Sequence, residues 1–219
     1  MSKAVLISIK PEWCELIASG KKTIEIRKTK PKLETPFKVY IYSTKPKNKN
    51  DLGLCLDKGM FGTLKKVGLL YKRNYETAKH LNMQILSGKV IGEFICDKIF
   101  DLSVVCEVHD ELPSRPCEYW LEWDTDCYNI PNEACLSAKE IMTYLGKSDC
   151  GYAWHISDLV IYDKPKELSE FEKPCPYDED CWKCKFYDGG SREESPSCNW
   201  EDFELTKPPQ SWCYVEEVK

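Results

Sequence analysis

The sequence predicts an α+β fold: a small mixed β-barrel with a few flanking helices, an insertion and a cysteine-rich C-terminal segment. Three observations carry that expectation. Stretches with strand-like patterning recur along the chain, separated by only a few helical patterns, which favours a mixed barrel over a doubly wound parallel sheet. Hydrophobic residues make up 42% of the 219 residues and aromatics 12%, enough for a packed core that needs no disulfide staples. Two polar, turn-rich stretches interrupt the pattern, near 105–135 and after 169. The breaks give the expected organisation: a barrel domain over 1–168 with its insertion at about 105–135, an accessory segment over 169–210, and a final strand over 211–219 returning to the barrel.

The first element is "KAVLISIK", where Val5, Ile7 and Ile9 alternate with smaller or polar residues as in a half-buried strand. Pro11 opens a short helix, "PEWCELIASG", at the position where its missing N–H costs nothing, and Gly20 closes it. Trp13, Leu16 and Ile17 share one face of that helix, which places Trp13 in the core. A second strand follows in "KKTIEIRK", with Thr23, Glu25 and Arg27 on one face and Ile24 and Ile26 on the other. Lys22 has the parity of the isoleucines but lies at the turn, where the pleat does not bind it. "FKVYIYSTKP" is a third strand, "KPKNKNDLG" a polar loop, and "NYETAKHLNMQILSG" a helix ending at Gly88. "KVIGEFICDKIFDLSV" reads as one long strand, with Gly92 marking a bulge or a close backbone approach. A short helix is expected within the insertion. "SAKEIMTYLG" carries a capping box, Ser137 with Glu140, and a terminal Gly146. "YAWHISDLVIYDKP" and "SWCYVEEV" complete the strands.

Net charge is −5 but unevenly spread. Residues 1–50 hold 12 Lys/Arg against 4 Asp/Glu, residues 51–150 hold 11 against 16, and residues 151–219 hold 8 against 16. A basic start on an acidic body points to a local anion-binding face, and argues against a protein that coats long duplexes. The stretch "SGKKTIEIRKTKP" concentrates that charge, with Glu25 set between Lys22 and Arg27. The short apolar run "AVLI" is too brief for a secretion signal, and no stretch approaches a membrane span, so a cytoplasmic protein with no membrane partner is expected. No P-loop, dinucleotide fingerprint or metalloprotease helix appears, so no organic cofactor is expected.

The combination of "SIKPEWCELIASGKKTIEIRKTKP" with "VYIYSTKP", "GKVIGEF" and "YAWHISDLVIYDKPKEL" resembles the ASCH domain family, whose barrel is similar to that of PUA domains. The family signature of Gly, Lys, Glu and Arg is met by Gly20, Lys22, Glu25 and Arg27. The resemblance covers residues 3–104, roughly 150–168 and the final strand. It implies recognition of RNA, a nucleotide or a modified nucleoside, and for some members hydrolytic chemistry. The residues allow the same idea. Lys22 and Arg27 suit a phosphate or a base edge, and Glu25 can accept from an exocyclic amine or serve as a base. Some members resemble amidohydrolases acting on an acetylated cytidine, with a threonine nucleophile three residues after the signature lysine. Glu25 occupies that position here, which speaks against that reaction.

Further ligand-binding candidates are Ser43, Thr44 and Lys45 at the end of the third strand, and Trp154 and His155 for stacking and proton transfer. Glu93 is a candidate second carboxylate, with an exposed strand residue as the plainer reading. Thirteen cysteines without a secretion signal read as reduced thiols. Four of them, Cys175, Cys181, Cys184 and Cys198, cluster in a segment with little else to fold around, and are the candidate ligands of a structural zinc. The expected function is therefore binding of RNA or a nucleotide in a cleft lined by Lys22, Glu25 and Arg27. The alternatives are a metal-independent hydrolase in which Glu25 and Lys22 are catalytic, and a protein-interaction module acting through the acidic tail.

Overall fold

The computed structural model describes residues 3–45, 84–107, 118–125, 128–175 and 203–218, together with the backbone of 53–57 and 66–70. The fold is mixed α+β, as the sequence predicts. β1 (Lys3–Ile9), β3 (Phe37–Ser43), β7 (Val90–Cys96), β11 (Ser157–Lys166) and β12 (Trp212–Glu216) form a five-stranded sheet in the order β11-β7-β3-β1-β12. β2 (Ile24–Arg27), β10 (Cys150–His155), β8 (Ile99–Glu107) and β9 (Glu118–Trp123) form a four-stranded sheet in that order. β4 (Gly53–Asp57), β5 (Lys66–Leu70) and β6 (Gln84–Ile85) make a third, three-stranded sheet. The helices are α1 (Pro11–Ala18), α2 (Ile130–Glu133) and α3 (Ala138–Leu145).

The sheets do not close into the expected barrel. β1 has both edges occupied, by β3 in parallel and by β12 antiparallel, so β2 cannot pair with it. Between β1 and β2, where a ladder would have closed the barrel, the Arg27 side chain donates to the Ser8 carbonyl instead. Two expected single strands are each two strands in different sheets. "KVIGEFICDKIFDLSV" turns at Asp97–Lys98 between β7 and β8, and "YAWHISDLVIYDKP" turns at Ile156 between β10 and β11. The expected helix up to Gly88 also fails in its described part: Gln84–Ile85 is strand and Gly88 sits in a turn at φ +88°. Residues 74–83 of that expectation, and 46–52 of the polar loop, lie outside the described residues.

Other local expectations hold. Pro11 is at the start of α1, and Gly20, at φ +73°, follows it in the left-handed conformation that only glycine adopts without strain. The Ser137–Glu140 capping box is formed, and Ser137 holds the Glu140 carboxyl below the usual range through donation from its backbone and hydroxyl. At Gly92 a Cβ would lie 2.3 Å from the Val160 carbonyl oxygen, beside a register shift in the β7–β11 pairing. The backbone approach there excludes any side chain.

Three apolar clusters hold the layers. Val5, Ile7, Ile9, Ile17, Phe94 and Trp154 belong to the first, which contains residues of both large sheets. Ile24, Ile26, Leu102, Ile141 and Leu145 pack α3 and the four-stranded sheet together. The outer side of the five-stranded sheet is covered too: Ala4, Leu6, Tyr40 and Val215 pack with Phe171 and Leu205 from the described parts of the C-terminal segment. This is why β1 is buried on both faces rather than one. Burying each aliphatic side chain of this kind stabilises by roughly 1.5–3 kcal/mol.

Candidate functional site

β2 delivers its alternation as expected. Ile24 and Ile26 enter the cluster under α3, while Glu25 and Arg27 face the gap between the large sheets. The helix-to-strand turn adds Lys22: its backbone N–H and that of Lys21 both donate to the Leu16 carbonyl, curling the chain back so that its side chain joins Glu25. All three residues are buried, at 2%, 7% and 8% exposure for Lys22, Glu25 and Arg27.

The geometry is a carboxylate between two cations. Glu25 Oε1 lies 3.0 Å from Arg27 Nη2 and Oε2 lies 3.5 Å from Lys22 Nζ. Each cation also has a backbone anchor. Lys22 Nζ donates to the Ala134 carbonyl at 2.7 Å, and Arg27 Nη2 donates to the Ser8 carbonyl at 2.8 Å. Burial drives the Lys22 ammonium below the usual lysine range, against the opposing pull of Glu25. Arg27 Nε is buried with no partner among the described residues.

These groups line a cavity of about 240 Å³. Its walls add Trp13, Leu136 and Tyr144, with Lys10 exposed at the rim. Lys22 Nζ stands 5.3 Å from the Trp13 ring centroid, within cation–π range. Burial pushes the Tyr144 phenol up in pKa, opposed by the nearby Arg27 charge. Trp13 is thus only partly in the core, and its other role is a wall of this cavity. Sequence reasoning missed Ser8, Trp13, Ala134, Leu136 and Tyr144. The segment 133–136, at the end of the expected insertion, closes one side: besides Ala134, the Glu133 carbonyl accepts from Thr23 N and the Lys21 carbonyl accepts from the Cys135 thiol.

The other candidates are placed elsewhere. Gly20 shapes the turn and is not part of the cavity lining. Ser43 is fully buried, its Oγ facing the Cys14 thiol with no stronger partner, and burial pushes that thiol far above its ordinary range. Thr44 donates its backbone N–H to Ile9, and the Lys45 stem packs where a Cβ on Gly88 would sit. None of the three lines the cavity. Trp154 is a correction: it is fully buried, edge to face with Phe37 at 6.0 Å, and has no open face on which a base could stack. His155 lies one residue further along β10, with its Nδ1 2.6 Å from Asp97 Oδ1. Burial works against the Asp97 charge, yet the His155 hydrogen bond and charge outweigh it and hold the carboxyl below its usual range. Glu93 accepts from Tyr162 and pairs with Lys38 on the five-stranded sheet, away from the cavity. Cys175 is buried, whereas Cys181, Cys184 and Cys198 lie outside the described residues, and no metal-ligand group occurs among the described ones.

A family model described as the ASCH domain matches residues 7–205. Among solved structures, the chain is similar to the crystal structure of ASCH from Zymomonas mobilis, with 17% identity, a TM-score of 0.47, and coverage of 98% of this chain and 88% of that one. It is also similar to a tyrosine-to-phenylalanine mutant of that protein, with 18% identity, a TM-score of 0.45, and coverage of 99% and 92%. No curated protein sequence matches the chain.

Proposed function

The chain belongs to the ASCH domain family, and from that premise we propose that it binds RNA or a nucleotide by taking one base or nucleoside into the Lys22–Glu25–Arg27 cavity. The observation that carries the reading is a buried three-charge network placed on a cavity floor. Such a network is a poor device for stability, because desolvating its ions costs several kcal/mol and apolar residues of equal volume serve as well or better. Beside a cavity it has another use. It offers fixed donors and an acceptor to a polar ligand, with one net positive charge for an anion. The volume lies below the roughly 300–1,000 Å³ that takes drug-sized ligands, which suits a single base or nucleoside rather than a run of nucleotides. Trp13 and Tyr144 supply aromatic walls of the kind that grip unstacked bases.

The test is equilibrium binding of nucleoside monophosphates and short RNA, with the Trp13 indole N–H followed by NMR. A ligand-dependent shift of that resonance, lost in Arg27→Lys protein that remains folded, supports the reading. Full affinity in Arg27→Lys with no shift at Trp13 overturns it.

Hydrolysis by the same residues is a second reading, favoured by one feature: a lysine whose pKa burial lowers, 3.5 Å from a carboxylate in the same cavity. Such a pair suits proton transfer. Turnover of short RNA or a modified nucleoside that disappears in Glu25→Gln protein, with binding kept, would establish it. The zinc reading of Cys175, Cys181, Cys184 and Cys198 rests on their spacing and on their clustering in a segment with few apolar residues, and is part of this proposal.

A further inference from the structure

The chain leaves the end of β2 through residues 28–32, and this exit carries cations away from the cavity. Lys28, Thr29, Lys30 and Lys32 are exposed. Each meets an aromatic residue, and the four aromatics come from α3, β10 and β12. Lys28 Nζ is 5.5 Å from the ring centroid of Tyr144, a cavity wall. Trp212 Nε1 donates to Thr29 Oγ1 at 3.0 Å. Lys30 Nζ is 4.7 Å from the Tyr152 ring. The Lys32 backbone N–H donates to the Tyr214 hydroxyl at 2.7 Å. The strip ends at a second hollow of about 290 Å³, whose lining includes Lys3, Lys32 and Tyr214.

We infer that this strip is the track for the nucleotides flanking the bound base, so that the ligand is a single-stranded RNA of several residues rather than a free nucleotide. The inference rests on the cavity reading above. From Arg27 to Lys32 an extended chain spans at most about 18 Å, room for a few nucleotides. Alternating cations and aromatics match the two repeating parts of a single strand, its phosphates and its bases, and stacking tolerates any sequence because every base has a π-face. An acidic peptide would use the lysines and leave the rings idle. Carboxylates compete: Asp101 pairs with Lys30 at 2.9 Å, and the Asp124 charge also acts on that lysine. The Lys30–Asp101 pair is open to water, with side chains 42% and 59% exposed, so a phosphate can exchange for it.

The experiment is fluorescence anisotropy on the full chain with a labelled single-stranded RNA of about ten nucleotides, a length within the usual span of such sites. It is run from about 50 to 200 mM salt, with nucleoside monophosphates measured in parallel. Lys28→Ala/Lys30→Ala/Lys32→Ala should weaken RNA binding at least tenfold and flatten the slope of log K against log salt by about 2, at roughly 0.7 per lost phosphate contact. Monophosphate affinity should not change in Lys30→Ala/Lys32→Ala protein, whose substituted lysines lie away from the cavity, and Asp101→Asn should tighten the RNA. The substituted lysines are exposed, so the variant keeps its core. An unchanged slope and affinity in the triple variant overturns the track, as does wild-type protein that fails to bind the RNA. Equal binding of polyphosphate or an acidic peptide of matched charge overturns it too, since the strip would then read charge alone. Failure of the cavity reading has a different signature: monophosphates do not bind and Arg27→Lys is silent, while the triple variant still loses RNA.

Discussion

Two clusters in this protein are built from nearly the same parts. Lys22, Glu25 and Arg27 face the gap between the sheets, with Lys22 over the Trp13 ring. Lys38, Glu93 and Glu217 sit on the five-stranded sheet, with Lys38 Nζ 5.9 Å from the Tyr40 ring centroid and 3.4 and 3.1 Å from its carboxylates. The difference is water. Side chains in the first cluster are 2–9% exposed, those in the second 23–34%. The consequence shows in the lysines themselves. Burial depresses Lys22 despite its carboxylate, whereas for Lys38 the weaker burial is outweighed by the Glu217 hydrogen bond and the charges of Tyr40 and Glu93, and its pKa rises. A lysine beside a carboxylate is thus a half-exposed sheet pair in one place and a buried cavity wall in the other, and the surrounding protein decides which.

Removing the carboxylates is the severest way to break this contrast. Glu25→Ala strands two buried cations and should cost about 3–5 kcal/mol in urea denaturation. Glu93→Ala, in the wetter cluster, should cost no more than about 1 kcal/mol. Equal losses would dissolve the distinction. Next in size is Arg27→Lys, which keeps the charge but removes the planar fork; RNA affinity should fall about tenfold, or 1.4 kcal/mol, by titration.

Alkaline pH sharpens the contrast in sign. The folded pKa of Lys22 lies below its unfolded 10.5, so the unfolded chain holds the proton longer, and this group adds stability as pH rises between the two values. Lys38, with its folded pKa raised, contributes stability that is full below 10.5 and lost as pH passes its folded value. Anion binding should therefore weaken at a pH below the ordinary lysine range, and Lys22→Met should abolish that alkaline limb while Lys38→Met leaves it in place. The smallest effect is expected from metal removal. Elemental analysis should find one zinc per chain, and chelation should expose the tail to proteases while leaving the main melting transition where it was. Less than about a tenth of an equivalent of metal in reduced protein would sink the four-cysteine reading.

How far the site was legible follows from what a sequence encodes. The two-residue period of a strand put Glu25 and Arg27 on one face and the turn freed Lys22 from that period, but it was the resemblance to the family signature that marked the three as site residues. Ser8 and Ala134 were invisible, because each contributes a backbone carbonyl and any residue supplies one. Tyr144 was hidden beside Ile141 and Leu145, whose spacing already accounted for the helix. Trp13 was assigned wholly to the core because helical spacing reports a face, not what stands opposite it. The sheet changes at Asp97–Lys98 and Ile156 left no glycine or proline to read, and apolar patterning runs through both. Trp154 looked available for stacking until the sheets enclosed it.

The Asp97–His155 hydrogen bond has a mechanical meaning. Asp97 lies where the chain crosses from β7 to β8, and His155 lies just before it crosses back from β10 to β11, so their 2.6 Å contact clasps two crossings of the same corner. Away from that clasp, the span from β1 to β2 is bridged by a side chain, Arg27, reaching the Ser8 carbonyl at 2.8 Å. Lifting Arg27 from Ser8 therefore breaks no strand ladder, while the Trp212–Thr29 and Tyr214–Lys32 hydrogen bonds still hold β12 to the chain that leaves β2.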